Sequence, residues 1–141
     1  MNSPEAPAAV LDTSTAVPYV MRAHSSHLAV RRHLAGRDTA LTTHSLAEIY
    51  SVLTRLPGDA RLAPRDAARL LTANFPDVVA PDVTVTHQLA EVLVPMGIAG
   101  GAVYDALVGL AAKAAGLVLV SRDARALGTY RALGARIEVV T

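Results

Sequence analysis

Val10-Leu11-Asp12-Thr13-Ser14 is the stretch of sequence that decides the fold of this chain. A short apolar run that starts near Ala8 stops at the carboxylate of Asp12, which predicts a buried strand that ends at an acid. The run Gly116-Leu117-Val118-Leu119-Val120-Ser121-Arg122-Asp123 repeats this pattern. Because ligands of open α/β sheets bind at the carboxyl ends of the strands, we expect the two strands to direct Asp12 and Asp123 toward one place.

Composition predicts one domain without membrane contact. The chain has 141 residues, and we assign residues 1–141 to a single domain with residues 1–7 disordered. The absence of Cys excludes disulfides, thiolate metal sites and cysteine nucleophiles, and it is compatible with a cytoplasmic location. The start lacks the pattern of a signal peptide, and the apolar runs are too short to cross a bilayer. Hydrophobic residues make up 52% of the chain, which leaves apolar surface for a partner or for self-association.

Apolar runs and turn signals alternate along the chain and predict the order β-α-α-β-α-α-β-α-α-β-α-β. This alternation is typical of an α/β protein with three layers, α/β/α, around a central, mainly parallel sheet. Some of the predicted helix positions depend on a particular capping residue or turn. These helices are residues 24–34, residues 45–56 opened by Ser45, a helix up to residue 94 capped by Thr84 or Thr86, residues 102–115 and residues 124–133.

Four acids, Asp12, Glu48, Asp105 and Asp123, follow strands or lie in the first turn of a helix. Asp12 and Asp123 are of the residue type that caps helix N-termini. Glu48 stands three residues after Ser45, as in a capping box. An acid such as Asp105 in a first helical turn is favoured by the helix dipole. Structural and functional interpretations therefore compete at each position.

Asp105 favours the functional interpretation. Residues 101–116 are apolar almost all round, which is typical of a buried helix, and a carboxylate buried there is costly unless a cation compensates it. Four converging carboxylates would raise one another's pKa unless a cation neutralised them. An all-oxygen ligand set selects Mg²⁺ or Mn²⁺, and such sites commonly bind phosphate oxygens and activate a water. The natural chemistry is phosphodiester hydrolysis.

Other polar and aromatic residues near these acids carry weaker signals. Arg122 and Arg125, beside Asp123, are candidates for gripping a nucleic-acid backbone. Tyr104 is adjacent to Asp105, and we interpret it as a packing residue rather than a base-stacking one. The five histidines lack a recognised metal-ligand spacing, and we assign His44 no role.

Four segments in this order and spacing resemble the PIN-domain ribonucleases, and among these the VapC toxins of bacterial toxin–antitoxin pairs. The segments are residues 10–14, 45–57, 100–108 and 119–123. The resemblance implies a PIN-like fold and an acidic quartet that binds Mg²⁺ or Mn²⁺, with Thr13 and Ser121 as supporting hydroxyls. It also implies RNA cleavage by a metal-activated water, leaving a 5′-phosphate and a 3′-hydroxyl. The implied partners are the RNA substrate, a second copy in a homodimer and a VapB-like antitoxin whose tail covers the site.

The four acids have distinct hypothetical roles in this chemistry. Asp12 and Asp105 hold the ion, Glu48 orients or deprotonates the attacking water, and Asp123 fixes a metal-bound water or a second ion.

Two other classes of function stay open at this stage. One is a receiver-like phospho-acceptor domain, which needs a paired acid after the first strand and a Lys after a late strand. Here Asp12 stands alone and Lys113, the single Lys, lies within a predicted helix. The other is a catalytically silent interaction module whose acids are all helix caps.

Overall fold

Five parallel strands form one sheet at the centre of the computed structural model, which describes residues 8–141. The strands are β1 (Ala9–Leu11), β2 (Thr39–Thr42), β3 (Asp77–Val79), β4 (Val118–Ser121) and β5 (Ile137–Val139). Their spatial order is β3-β2-β1-β4-β5, and every neighbouring pair is parallel. The predicted α/β class with a mainly parallel sheet is confirmed. The predicted disorder of residues 1–7 lies outside the described residues.

Helices connect the strands in the predicted order, except that three helices instead of two lie between β3 and β4. They are α1 (Thr13–Val20), α2 (His27–His33), α3 (Thr43–Arg55), α4 (Pro64–Asn74), α5 (Val83–His87), α6 (Leu89–Leu93), α7 (Ala102–Ala115) and α8 (Leu127–Ala132). Short 3-10 turns lie at Gly58–Ala60 and Val94–Met96. Within residues 8–141, none of the helices combines the length and the apolar character needed to cross a membrane.

A hydrophobic core on each face of the sheet produces the predicted three layers. Successive residues of a strand point to opposite faces, so Ala9 and Leu11 pack against α1 to α4, whereas Val10 packs against α7 and α8. All three residues are fully buried. Burial of a side chain such as Leu11 contributes about 2 kcal/mol. The central strand β1 is therefore fixed on both faces, and Asp12 follows it directly.

Two of the helices that begin at residues other than those predicted are α5 and α2. Asp82 caps α5, because its Oδ1 accepts from Thr84 N at 2.9 Å, so the prediction that Thr84 or Thr86 caps this helix was wrong. The predicted start of α2 at His24 was also wrong. His24 instead closes a turn before the helix, in which its Nδ1 accepts from Ser26 N at 3.0 Å. In both places a side chain satisfies backbone donors that the sequence pattern alone does not locate.

An ion-pair cluster ties β5 to the end of α2 and the loop before β2. Arg37 donates from Nη1 and Nη2 to Glu138 at 2.8 and 3.1 Å, and His33 Nε2 lies 2.8 Å from Glu138 Oε1. The Arg37 side chain is only 8% exposed. Its hydrogen bonds, and then that of His33, hold the pKa of Glu138 below its ordinary value. The ionised form of Glu138 therefore stabilises the fold.

We expect Glu138→Gln to lower the free energy of unfolding by about 1 kcal/mol at neutral pH, a figure that allows for solvent screening of the partly exposed carboxylate. Because the folded pKa lies below the ordinary value of 4.5, this stabilisation is complete above pH 4.5 and is lost as the pH falls through the folded pKa. The Tm difference between wild type and variant, followed by circular dichroism, should shrink accordingly. Glu91→Gln, at an exposed position of α6, serves as the matched control. An equal Tm loss in both variants would contradict the assignment.

Candidate functional site

A polar pocket of about 170 Å³ opens where β1 ends. All four predicted acids, Asp12, Glu48, Asp105 and Asp123, line this pocket. They come from the end of β1, from α3, from the first turn of α7 and from the turn after β4. The structure thus brings together carboxylates that are far apart in the sequence.

Asp12 is the most buried of the four acids, with 4% of its surface exposed. Its Oδ1 accepts from Ser14 Oγ at 2.6 Å and from Thr15 N at 3.2 Å, which caps α1. Its Oδ2 accepts from Ser121 Oγ at 2.5 Å and from Tyr130 Oη at 2.9 Å. Four donors offset the cost of taking a carboxylate out of water. Asp12 is therefore a helix cap and a pocket residue at once.

The two hydroxyl residues expected to support the acids are Thr13 and Ser121. Ser121 donates a hydrogen bond to Asp12, and the second hydroxyl that does so belongs to Ser14, the neighbour of Thr13. Ser121 Oγ donates to Asp12 and also accepts from Asp123 N at 3.1 Å, so that one hydroxyl joins two of the acids. Thr13 lines the pocket, but Ser14 is the residue whose hydroxyl donates to Asp12. The first turn of α1 places the Ser14 side chain beside the carboxylate, and the supporting role of Thr13 stays a prediction.

Tyr130 is a pocket residue that the sequence analysis missed. It lies on α8, is 1% exposed, and its hydroxyl donates to Asp12. Gly109 on α7 permits this approach, because a Cβ there would lie 2.9 Å from Leu133 Cδ1 and 3.2 Å from Tyr130 Cδ1. Burial, and then the charge of Asp12, raise the pKa of the Tyr130 hydroxyl, which keeps its proton and remains a donor. The available sequence signal was the Gly at position 109, which indicated the close approach of another element without identifying it.

The surroundings of Asp105 destabilise the ionised form of its carboxylate. Its pKa is raised above the ordinary value, first by burial and then by the negative charges of Asp123, Asp12 and Glu48, with Arg125 acting in the other direction. Its side chain is partly rather than fully buried, because this end of α7 opens into the pocket. The four acids therefore share one electrostatic neighbourhood, in which Arg125 offsets only part of the repulsion on Asp105.

Glu48 belongs to the pocket rather than to a capping box. Thr42 caps α3, since its Oγ1 accepts from Ser45 N at 3.0 Å, and Ser45 is a buried residue of the first turn. The prediction that Ser45 opens this helix was therefore wrong, and the capping-box interpretation of Glu48 is excluded. Glu48 is exposed in the second turn, and its Oε2 lies 3.2 Å from Nε2 of His44, which the sequence analysis left without a role.

Asp123 closes a turn instead of capping a helix at residue 124. Its Oδ1 accepts from Arg125 N at 3.0 Å, and α8 begins only at Leu127. The Arg125 side chain is 93% exposed, and its Nε lies 3.4 Å from the Asp123 carboxylate. Arg125 therefore presents a guanidinium to solvent at the rim of the pocket.

Arg122, the other predicted backbone-gripping residue, is held by internal contacts. Its Nη1 donates to Ser14 O at 3.2 Å and its Nη2 donates to Ser26 Oγ at 2.6 Å. Pro18, one turn after Ser14 in α1, has no N–H to donate to that carbonyl, and Arg122 supplies the donor instead. Its backbone N also donates to Ser14 Oγ at 2.9 Å. Of the two arginines predicted to grip a nucleic-acid backbone, Arg125 is therefore the better placed, because its guanidinium is exposed to solvent whereas that of Arg122 is engaged inside the protein.

The fit of a divalent cation to this pocket follows from charge rather than from a finished cage. Within residues 8–141, no three His or acidic side chains are grouped closely enough to form a ready metal-binding cluster. Mg²⁺ keeps several of its waters and is usually bound through only one or two carboxylates. Burial, and then the negative charges of the other three acids, raise the pKa of Asp105, and such a cation would neutralise these charges. The donor set, all carboxylate oxygens with a hydroxyl support, fits a hard cation.

Comparisons with known proteins agree with one another on the family. The family model of the PIN domain matches residues 9–132. Ribonuclease VapC27 of Mycobacterium tuberculosis is 50% identical over 133 residues, which cover 94% of this chain and 97% of the relative. Ribonuclease VapC40 of the same species is 42% identical over 131 residues, with coverages of 92% and 97%.

A solved structure supports the fold. The crystal structure of VapBC2 from Rickettsia felis, bound to a DNA fragment from its promoter, has a TM-score of 0.66 at 17% identity. The match covers 94% of this chain and 98% of that one. At 17% identity this similarity supports only the fold, which agrees with the three layers described above.

Removal of the Tyr130 hydroxyl tests its contact with Asp12. We expect Tyr130→Phe to lower the free energy of unfolding by about 2 kcal/mol, because a hydrogen bond to a buried charge is lost while the ring still packs. Chemical denaturation measures the change. Tyr50→Phe, at a tyrosine that is 40% exposed, is the control and should leave the stability unchanged. Equal stability of wild type and Tyr130→Phe would show that the contact contributes nothing.

Removal of one charge tests the repulsion in the pocket. We expect Asp105→Asn to raise the Tm by a few degrees at neutral pH in the presence of EDTA. The raised folded pKa means that ionisation of Asp105 costs stability, so this cost grows as the pH rises from 3.8 through the folded pKa and is absent below 3.8. The Tm gain should follow the same pH course in a thermal unfolding series. Asp59→Asn, at an exposed acid of a 3-10 turn, is the control, and a lower Tm for Asp105→Asn at neutral pH would contradict the repulsion.

Proposed function

The chain belongs to the PIN domain family, and from this we propose that it is an endoribonuclease of the VapC type, the toxin of a toxin–antitoxin pair. One observation carries the chemistry: four acids from distant parts of the sequence line a single pocket at the end of the central strand. The 50% identity to a ribonuclease over almost the whole chain supports RNA as the substrate. The single acid at the end of β1 argues against a receiver-like phospho-acceptor.

We propose Mg²⁺ or Mn²⁺ as the cofactor, which accords with the general divalent-metal dependence of PIN ribonucleases. Asp12 and Asp105 are the residues that we expect to hold the cation, with Glu48 and Asp123 completing the acidic set. When bound, a divalent cation neutralises these acids, holds a phosphate oxygen and lowers the pKa of a water molecule.

The chain's own residues then divide the work of positioning. Asp12 is held by four donors and cannot turn away from the pocket. Glu48 is exposed, lies beside His44 and is placed to orient the attacking water or to accept its proton. Asp123 is held in its turn by Ser121 and Arg125, and the exposed Arg125 is the contact we assign to the RNA backbone.

The reaction is hydrolysis of a phosphodiester bond. The water oxygen bonds to phosphorus and gives up a proton to Glu48 or to solvent. The bond between phosphorus and the 3′ oxygen breaks, and that oxygen leaves as a hydroxyl after it gains a proton. The products are a 3′-hydroxyl and a 5′-phosphate.

We also propose the partners of a VapC-type toxin for this chain: a VapB-like antitoxin that covers the site, a second copy in a homodimer, and cytoplasmic RNA. Apolar surface for protein partners is present. A groove of about 530 Å³ lies between α3 and α4, with Leu46, Tyr50 and Phe75 in its lining. The 52% hydrophobic content is consistent with such covered surface.

Replacement of one acid tests the catalytic proposal. We expect Asp105→Asn to reduce Mn²⁺-dependent cleavage of labelled RNA by at least about 100-fold, since the pocket loses a cation-holding carboxylate while its fold is retained. Cleavage by the purified protein, with mapping of the RNA ends, measures this. Asp59→Asn should keep full activity. Retained cleavage in Asp105→Asn would refute the site assignment.

Cation binding without turnover separates the ribonuclease from a silent interaction module. We expect calorimetric titration with Mn²⁺ to show binding to the wild type and a loss of at least tenfold in affinity for Asp12→Asn, because acids that serve only as helix caps bind no cation. Absence of Mn²⁺ binding to the wild type would favour the silent module.

A further inference from the structure

Two aromatic side chains form a stacked pair at the mouth of the acidic pocket. The rings of His44 and Tyr104 lie with their centroids 5.4 Å apart and their planes 17° from parallel. His44 is on α3 and Tyr104 is on α7, immediately before Asp105. Both residues line the pocket.

Tyr104 does not have the surroundings of a packing residue. It is 59% exposed, in contrast to Tyr130, which is 1% exposed on the next helix along the chain. One side of its ring is against His44, and His44 is in turn held by Glu48 at 3.2 Å. The ring is therefore supported from within the protein while much of its surface faces solvent. This corrects the interpretation of Tyr104 as a residue that only packs.

A supported, exposed ring beside an acidic pocket suits one part of a nucleic acid. Four carboxylates line the pocket and repel the phosphates of RNA, so these side chains do not by themselves draw the substrate in. A nucleobase is uncharged and stacks on aromatic side chains whatever its sequence. Its face is accessible only when the base is not already stacked in a duplex.

We propose that Tyr104, positioned by His44, stacks on a nucleobase next to the phosphate that enters the pocket. This inference rests on the proposed ribonuclease function and adds a substrate contact to it. The contact is made by the ring, so the Tyr104 hydroxyl is not needed for it. The ring contacts the base, so Tyr104 does not contribute to binding of the sugar-phosphate backbone.

The test measures binding, in a full-length background carrying Asp105→Asn so that the RNA stays intact. Two fluorescein-labelled probes of equal length are titrated by anisotropy in the presence of Mg²⁺: single-stranded oligoadenylate, and the same backbone with abasic riboses throughout. We expect Tyr104→Ala to weaken oligoadenylate binding about tenfold and to leave abasic binding unchanged. Tyr104→Phe, which keeps the ring, should bind as the background protein does. Tyr50→Ala, at a tyrosine of α3 that is 40% exposed and lies outside the acidic pocket, is the control.

Each outcome separates the stacking contact from the ribonuclease function. If Tyr104→Ala weakens both probes equally, or neither, the stacking contact is refuted while RNA binding stands. If Tyr104→Phe loses as much affinity as Tyr104→Ala, the hydroxyl rather than the ring is responsible and the proposal is wrong. If the wild-type protein neither binds nor cleaves oligoadenylate in the presence of Mg²⁺, the proposed ribonuclease function fails and the stacking contact fails with it.

Discussion

The buried carboxylate of Asp12 is the group on which the rest of the structure depends. Asp12 directly follows the central strand β1, which lies between β2 and β4. Its carboxylate accepts hydrogen bonds from α1, from the end of β4 and from α8. A charge at this depth is tolerated only because its acceptors are satisfied from several sides. The same contacts fix the relative positions of the elements that provide the donors, so the geometry of the pocket and the packing of the fold are one arrangement.

Asp105 shows the opposite balance, and the contrast has a physical meaning. Asp12 is compensated by hydroxyl and amide donors, whereas Asp105 is raised in pKa by burial and by its three acidic neighbours. The pocket therefore holds the Asp12 carboxylate rigidly, while Asp105 remains repelled by the other acids. A ligand with positive charge is the species that this imbalance favours, and it would stabilise the fold as it binds.

Much of the fold was predictable because it depends on local patterns. The apolar run before Asp12, the matching run before Asp123 and the small-residue helix of α7 each encode their structure within a few residues. Tyr130, Ser14 and Arg122 were beyond such reasoning, because their roles depend on contacts across the fold. In the sequence Arg122 has the pattern of a surface cation. Only the structure shows that it donates to the carbonyl of Ser14, to which Pro18 has no N–H to donate. The choice of Ser14 over Thr13 is likewise set by which side of the first helical turn faces the carboxylate.

The placement of β1 at the centre of the sheet has a consequence for the order of folding. Its partner β2 follows within about one α/β unit, but Ser121 and Tyr130 are separated from Asp12 by 109 and 118 residues. Contacts of such long sequence separation form late, since loop closure opposes them. During synthesis the acidic pocket is incomplete until α8 has emerged and packed against Gly109. A polypeptide synthesised only as far as α7 therefore lacks Ser121 and Tyr130, and with them the complete pocket.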